Sequence, residues 1–379
     1  MKTVPPVVKS EDLYRSYWVY LWLLGVEGKY PQRLLVDVLN SVFIVFWYPV
    51  HLILGLFNKG IVDLFRSLHF TSECFFCSFK FLCFRWKLDE IKAIQKLLTE
   101  LDKRAESDED RRFFDQNTAR VAVMLSRSYL VAAISAIITG TAAGLFSNER
   151  KLLQPAWFPY NVQATPTIFW ISFSYQVVGS TLAILHNLAN DSYPPITFCV
   201  VAGHAKLLAR RLSRIGHDKN ISKAEATKEL VQNIEDHRKL MQIIRLMRST
   251  LYLSQLGQFI SSGINISVTL INILFFAENH FAIIYYVVIF FAAMLIELFP
   301  SCYYGTLMSK EFDQLPYAIF SSNWLGMNKG YCRSLIILMQ FTVAQVEIKA
   351  GGMVVIGMNA FFATVRMAYS FFTLGVSLK

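Results

Sequence analysis

The last thirty residues of the chain, 350–379, read AGGMVVIGMNAFFATVRMAYSFFTLGVSLK. As an α-helix, the apolar part from Gly351 to Leu378 would measure roughly 42 Å, at about 1.5 Å per residue. The hydrocarbon core of a bilayer is about 30 Å thick. The stretch carries one cation near mid-depth, Arg366, and a second at its end, Lys379. We therefore predict that it forms a terminal transmembrane helix.

The composition of the whole chain is that of a protein that crosses the bilayer several times. Of its 379 residues, 54% are hydrophobic and 15% are aromatic, a larger apolar share than soluble domains usually have. The net charge of +10 would also suit a nucleic-acid-binding protein. However, no polar domain carries a basic stripe with interleaved aromatic residues. We therefore predict the lipid bilayer, and no nucleic acid, as a partner.

Six more apolar stretches precede the terminal one, and each is long enough to hold a membrane-spanning helix. They cover about 34–57, 64–84, 121–146, a stretch that starts near 167, 251–276 and 281–308. The predicted fold class is accordingly an all-α membrane protein with seven transmembrane helices.

The fourth stretch is ambiguous, because Asn190 and Asp191 interrupt it just before Pro194 and Pro195. The apolar run that follows the prolines has about fourteen residues, fewer than the roughly twenty that a span requires. We predict one long helix, kinked near the prolines and protruding from the membrane, in preference to two spans.

The distribution of lysine and arginine predicts the orientation of the chain. Residues 1–33, 85–120, 206–248 and 310–333 together hold 28 of these cations, whereas the segments on the opposite side hold five. Cytoplasmic segments carry the excess of lysine and arginine in membrane proteins. The N-terminus is therefore predicted inside and the C-terminus outside, the reverse of a G-protein-coupled receptor.

The basic segments themselves are predicted to be helical, because apolar residues recur at steps of three and four within 88–101 and 222–249. The domain assignment follows from these patterns. It comprises a cytosolic N-terminus with an interfacial helix (1–33), spans one to six (34–308) with intracellular extensions at 85–120 and 206–249, an intracellular anchor helix region (309–346) and a terminal transmembrane helix (347–379). We expect a bend at 347–352, where the apolar pattern breaks.

The sequence holds no phosphate loop, H-E-x-x-H or G-x-S-x-G motif, so no catalytic residue, metal or cofactor is predicted. Charged residues within spans are candidates for function. Glu73 and Lys80 share a helical face and would pair through neighbouring helices, whereas Asp191 would hold a backbone break and Glu297 would reach the inner interface. Arg366 would either face a water-filled lumen or pair with a carboxylate. We favour pairing, because a ring of unpaired arginines would repel cations.

Two segments near the C-terminus resemble the closing signatures of one family. The first combines Ala350-Gly351-Gly352, Arg366 and the run AYSFFTL at 368–374. The second combines SCYYG at 301–305 with AIFSSNW at 318–324. In this order and spacing they resemble insect odorant receptors over about the last eighty residues, and the pattern of spans extends the likeness to the whole chain.

This resemblance implies a function. The family's odorant-tuned members are subunits of ligand-gated, non-selective cation channels, in which four subunits surround a pore lined by their terminal helices. The implied partners are a small volatile odorant and an odorant receptor co-receptor, in a hetero-oligomer that we expect to be a tetramer. The implied location is the plasma membrane of the sensory dendrites of olfactory neurons.

The resemblance also suggests which residues form the two sites. For the pore gate they are Leu374 and Leu378, because apolar residues one and five positions before the final lysine narrow the pore in the family's co-receptor. Met367 and Ser370 are added as pore residues, because they share a helical face with these two leucines. For the odorant pocket, in the outer halves of spans two to six, the candidates are His69, Phe70, Phe75, Ile134, Ile138, Phe169, Phe173, Tyr175, Ile271, Tyr285, Tyr286 and Phe290.

Two alternatives stay open at this point. Gustatory receptors are related channels, but their terminal span typically carries Thr-Tyr, five apolar residues and Gln-Phe, where this chain has AYSF at 368–371. The second alternative is a seven-span receptor that signals through an intracellular partner without a pore of its own.

Overall fold

The computed structural model describes residues 9–27, 31–57, 60–105, 107–145, 152–218, 220–276 and 281–377. Their helices are α1 Ser10–Leu13, α2 Arg15–Leu23, α3 Pro31–Leu39, α4 Tyr48–Leu54, α5 Ile61–Trp86, α6 Leu88–Asp102, α7 Asp108–Phe114, α8 Arg120–Leu145, α9 Pro166–Arg214, α10 Lys223–Phe276, α11 Phe281–Asp313, α12 Leu315–Phe320, α13 Lys329–Thr342 and α14 Met358–Ser377. Two π-helical stretches, Asn40–Trp47 and Asp115–Ala119, join α3 to α4 and α7 to α8.

The predicted all-α fold is confirmed, and each predicted span corresponds to one long helical segment. In chain order these segments are α3 to α4, α5, α8, α9, α10, α11 and α14. Within the described ranges, three segments are long and apolar enough to cross a membrane by composition alone: Pro31–Leu54, Asp108–Ala142 and Pro166–Arg214.

The fourth span is a single helix, as predicted. Helix α9 has 49 residues and continues through Pro194 and Pro195, which gives it a length of roughly 74 Å. The adjacent Tyr193 is buried, and its ring centroid lies 5.0 Å from that of Tyr17 and 5.5 Å from that of Phe84. This packing on several sides stabilises a helix segment whose prolines remove backbone hydrogen bonds.

The fifth span was predicted at 251–276, next to a helical intracellular extension at 222–249. The structure joins both into α10, a helix of 54 residues. The sequence around the expected boundary, Leu246 to Leu256, contains neither glycine nor proline, so nothing there interrupts the backbone hydrogen bonds. Helix α10 therefore extends continuously from the basic segments into the transmembrane bundle.

One end of the bundle, which we call the basic end, consists of α6, α7, α12, α13 and the adjoining parts of α9 and α10. The predicted apolar faces are buried there, including Ile91 and Leu98 of α6 and Ile243 and Met247 of α10. These residues belong to the largest hydrophobic core of the molecule. The periodicity of the sequence therefore predicted this end correctly.

Charged residues connect the helices around the core of the basic end. Asp236 accepts hydrogen bonds from Arg104 at 3.1 Å and from Arg211 at 3.4 Å. The guanidinium group of Arg214 holds the pKa of the Glu109 carboxyl below its usual value. Next to Asp236, burial lowers the pKa of His237 from its ordinary 6.5, because the core disfavours the charged imidazolium.

The terminal helix starts later than predicted. A two-stranded antiparallel hairpin, β1 Lys349–Ala350 and β2 Val354–Val355, occupies the expected first turns, and α14 begins only at Met358. Gly351 and Gly352 turn the hairpin with φ of +58° and +72°, in the left-handed region that favours glycine. The 20 residues of α14 still measure about 30 Å, enough to cross a bilayer.

The short N-terminal helices pack on the bundle. Tyr14 and Tyr17 are buried, and both lie against the ring of Tyr193 in α9. On the other side of α2, Val19 and Trp22 are exposed. The predicted interfacial helix is therefore anchored on one face by aromatic contacts with the protein and has a second face open to its surroundings.

Candidate functional site

A buried ion network lies where four of the long helices meet. At its centre is the ammonium group of Lys80 on α5, a residue that is only 1% exposed. Its Nζ atom donates to Asp191 Oδ1 of α9 at 2.7 Å, to Glu297 Oε1 of α11 at 3.3 Å and to Gln258 Oε1 of α10 at 2.5 Å. Because a buried ammonium group requires close oxygen partners, this one side chain ties α5, α9, α10 and α11 together.

Glu73, about two helical turns before Lys80 on α5, extends the network. Its carboxylate lies 4.0 Å from Lys80 Nζ and accepts hydrogen bonds from Asn187 Nδ2, Ser261 Oγ and Asn265 Nδ2 at 2.7, 2.8 and 2.6 Å. The predicted relation between Glu73 and Lys80 is thus present, and neighbouring helices supply most of the partners of both groups.

Two sequence predictions for this network are wrong. Asp191 was expected to hold a backbone break, and Glu297 to reach the inner interface. Both instead bind Lys80 directly, and both are shielded from solvent, with side chains 7% and 11% exposed. The spacing of seven residues revealed the pair on α5, but no local pattern revealed that α9 and α11 bring their carboxylates to the same point.

Some predicted pocket residues meet in an aromatic cluster at the end of the bundle opposite the basic end. Phe70 and Tyr175 pack against a buried group formed by Tyr48, Leu52 and Cys74. The ring centroid of Tyr175 also lies 5.4 Å from that of His51. The sequence analysis missed the residues from the first span, although Tyr48 and His51, three apart on α4, share one helical face.

Phe169 and Phe173 form a second aromatic pair near the start of α9. Both are buried, and their rings stack with centroids 6.0 Å apart at an interplanar angle of 27°. Trp170 lies edge-on to Phe173 at 5.6 Å. These two predicted pocket residues therefore lie together, one helical turn apart on α9.

The structure places the other pocket candidates differently. Phe75, Ile134 and Ile138 are exposed on the surface of the chain, His69 is buried, and Ile271 is half-buried. The side chains of Tyr285, Tyr286 and Phe290 lie outside the described part of the structure.

Two of the cavities among the described residues lie towards the basic end. One of about 380 Å³ is lined by Arg248, Tyr252, Gln345, Glu347, Lys349 and Gly352. The other, of about 180 Å³, lies between α8, α9 and α11, beside Gly203 and Tyr304. None of the predicted pocket residues lines either cavity.

The predicted pore helix presents two different faces. Ala360, Thr364 and Ala368 of α14 are buried, and Ala368 packs in a cluster with Ile266 of α10. Met367 and Ser370 are exposed, although the Met367 Cε atom also packs beside Gly263 of α10. The side chain of Leu374 and all of Leu378 lie outside the described residues.

Arg366 is also exposed. The favoured prediction paired its guanidinium group with a carboxylate on an adjacent helix. Among the described residues, no carboxylate lies within ion-pair distance of it. The described part of this chain therefore does not supply the predicted carboxylate partner.

Comparison with known proteins places these features in a family. A family model described as 7tm odorant receptor matches residues 60–369. Odorant receptor 33a of Drosophila melanogaster is 69% identical over 372 residues, which cover 98% of each chain. Odorant receptor 33b of the same fly is 58% identical over 380 residues, covering both chains completely.

The fold has also been seen in a solved structure. The insect olfactory receptor OR5 from Machilis hrabei matches with a TM-score of 0.84 at 13% identity, over 98% of this chain and 100% of that one. These matches are to receptors rather than enzymes, and they leave the gustatory alternative without support. With its seven long helices, this membrane protein belongs to the insect odorant receptor family.

Proposed function

We propose that the chain is the odorant-tuned subunit of a ligand-gated, non-selective cation channel that it forms with a co-receptor. A small volatile odorant would bind among the outer halves of the transmembrane helices, and the terminal helices of four subunits would surround the pore. The observation that carries the proposal is the two-faced character of α14, which has the length of a span and buries only part of its surface within its own subunit.

The exposed face of α14 has the properties of a pore lining. Met367 and Ser370 are one helical turn apart, and in the sequence Leu374 and Leu378 follow Ser370 at steps of four residues. Leucine at a narrow point suits a gate that closes by expelling water. Arg366, which has no carboxylate partner among the described residues, would lie in a hydrated space beside this stripe.

The basic end has a surface suited to contacts with other subunits. Exposed apolar side chains project from α12 and α13 and the segments that follow them: Tyr317, Phe320, Leu325, Ile336, Phe341 and Val343. In general, exposed apolar side chains that form one continuous patch mark a protein–protein or membrane interaction site. Their position in the predicted anchor supports assembly through the basic end, with the co-receptor as the partner.

The ligand is proposed to be a small, mostly apolar molecule. A structure of OR5 from Machilis hrabei is described as a complex with eugenol, which is such a molecule. In this chain the aromatic cluster around Tyr175, with Phe70 and Tyr48, offers apolar walls and a few polar atoms, the usual composition of small-molecule sites. We place the odorant beside this cluster and the Phe169–Phe173 pair.

The experiment is a recording of whole-cell currents during application of an odorant panel. Cells would produce this chain with a co-receptor, this chain alone or the co-receptor alone. We expect a panel-dependent cation current only when both proteins are present, together with surface labelling of this chain at the plasma membrane. Strong odorant-gated current from this chain alone would refute the need for a partner. An odorant-evoked response that depends entirely on a second messenger would refute the proposal that this chain is a channel subunit.

A further inference from the structure

We propose that one segment of α10, residues 256–266, couples the Lys80 ion network to the terminal helix, so that the network sets how readily the channel opens. Lys80 would act as a positioning residue, because it touches neither the odorant cluster nor the pore-lining face. This inference rests on the proposed channel function.

One face of the segment belongs to the ion network. The Oε1 atom of Gln258 accepts a hydrogen bond from Lys80. Its Nε2 atom donates a hydrogen bond to Ser262 Oγ at 3.2 Å. Ser261 and Asn265, one turn apart, both donate to Glu73. Hydrogen bonds to charged groups are stronger than those between neutral groups. This face therefore resists sliding of α10 against α5.

The other face of the same segment supports the terminal helix and the hairpin before it. A Cβ atom placed on Gly263 would lie 3.0 Å from Met367 Cε, and one placed on Gly351 would lie 2.8 Å from Leu256 Cδ2. Ile266 packs with Ala368 of α14. The Met367 and Leu256 side chains thus fill the space beside these two glycines, and close packing of this kind limits how far one helix can move independently of the other.

The two faces are connected by an uninterrupted helix. From Leu256 to Ile266 the rise is about 15 Å, and every residue is part of α10. A displacement of this segment relative to Lys80 would therefore be transmitted to α14. Because Lys80 also binds Asp191 of α9 and Glu297 of α11, the displacement must break or exchange bonds to a buried ammonium group. The network thus holds α10, and through it α14, in the arrangement that the structure shows.

The test uses variants that loosen the network without leaving a charge unpaired. Removing Lys80 itself would leave the buried carboxylates of Glu73, Asp191 and Glu297 without their cation and prevent folding. Gln258→Leu removes one neutral partner and leaves the bonds from Lys80 to Asp191 and Glu297. Its matched control is Gln255→Leu: Gln255 is equally buried on α10, and its Oε1 atom has no hydrogen-bond partner among the described residues.

Currents are recorded with the co-receptor present and normalised to surface-labelled protein. The two readouts are the resting current as a fraction of the maximal odorant-evoked current and the half-maximal odorant concentration. For Gln258→Leu we expect the resting fraction to rise and the half-maximal concentration to fall by about fivefold or more, a usual size of coupling between sites. Gln255→Leu should leave both readouts unchanged.

The outcomes separate the two proposals. If the unmodified chain gives no odorant-gated current with a co-receptor, the proposed function fails. If it gives current but Gln258→Leu, at normal surface density, has an unchanged or lower resting fraction, the coupling fails. If Gln258→Leu does not reach the cell surface, the same two readouts are measured for Ser261→Ala. This second variant removes the hydrogen bond from Ser261 to Glu73. A purely structural role would reduce surface density and leave both readouts as in the unmodified chain.

Discussion

Gly351 donates its backbone N–H to the carbonyl oxygen of Tyr252, with an N···O distance of 2.8 Å. This bond fixes the hairpin before the terminal helix to α10. It depends on a left-handed φ of +58° at Gly351, and the side chain of Leu256 fills the space that a Cβ atom would occupy. The placement of α14 therefore depends on a position that only glycine fits without strain.

Gly351→Ala is expected to destabilise the protein by about 1–3 kcal/mol, the usual cost of one strained backbone position. Thermal unfolding of the detergent-solubilised protein should begin at a lower temperature, and odorant-evoked current should decrease with it. Gly140→Ala is the control, because Gly140 lies in α8 with a normal φ and open space around it. Equal thermal stability of the two variants would contradict the role of the hairpin.

The orientation of the chain is a separate prediction, based on the 28 cations of one set of segments against five on the other. An epitope placed before Met1 should bind antibody only after the cells are permeabilised, whereas one placed after Lys379 should bind it in intact cells. A cytosolic marker protein confirms that the intact cells are sealed. Staining of the N-terminal epitope in intact cells would overturn the assigned topology.

Local patterns predicted those parts of the fold that single helices determine. The spacing of Ile91, Ile94 and Leu98 predicted α6, whose apolar face is buried as expected. The length of the apolar run predicted α9 as one helix across Pro194 and Pro195. In each case the information lies within a few helical turns, where helical periodicity fixes which residues share a face.

The remaining features depend on distant parts of the chain. The contact of Lys80 with Asp191 and Glu297 joins residues more than one hundred positions apart, and no local periodicity contains that information. The sequence predicted a bend at 347–352, and Gly351 and Gly352 do turn the chain there. The hairpin at 349–355 was not predicted, because its valines and methionine suit an apolar helix as well as a strand. The contacts of Gly351 with Tyr252 and Leu256 of α10, about one hundred positions earlier in the chain, hold this hairpin in place.

The basic end is expected to lose stability in acid because of His237. Burial lowers its pKa below 6.5, so between the folded-state pKa and 6.5 the unfolded chain binds a proton that the folded chain does not. Stability should therefore fall as the pH drops below about 6.5 and stay constant above it.

Thermal unfolding in detergent between pH 7.5 and pH 5.5 measures this effect. His237→Leu should reduce the loss of stability between pH 7.5 and pH 5.5, because the substitution removes the buried group that binds a proton only in the unfolded chain. His217→Gln replaces an exposed histidine of the same end and serves as the comparison for a histidine outside the core. An identical acid sensitivity of the unmodified chain and His237→Leu would show that other groups cause it.

The gate proposed at Leu374 and Leu378 gives the last prediction. If these side chains close the pore by expelling water, serine at either position should hydrate the narrow part and raise the resting conductance or change ion permeability. Currents of Leu374→Ser and Leu378→Ser, each with a co-receptor, would be compared at matched surface density. Leu145→Ser is the control, because Leu145 is an exposed leucine at the end of α8. Resting currents equal to that control would favour a packing role for both leucines.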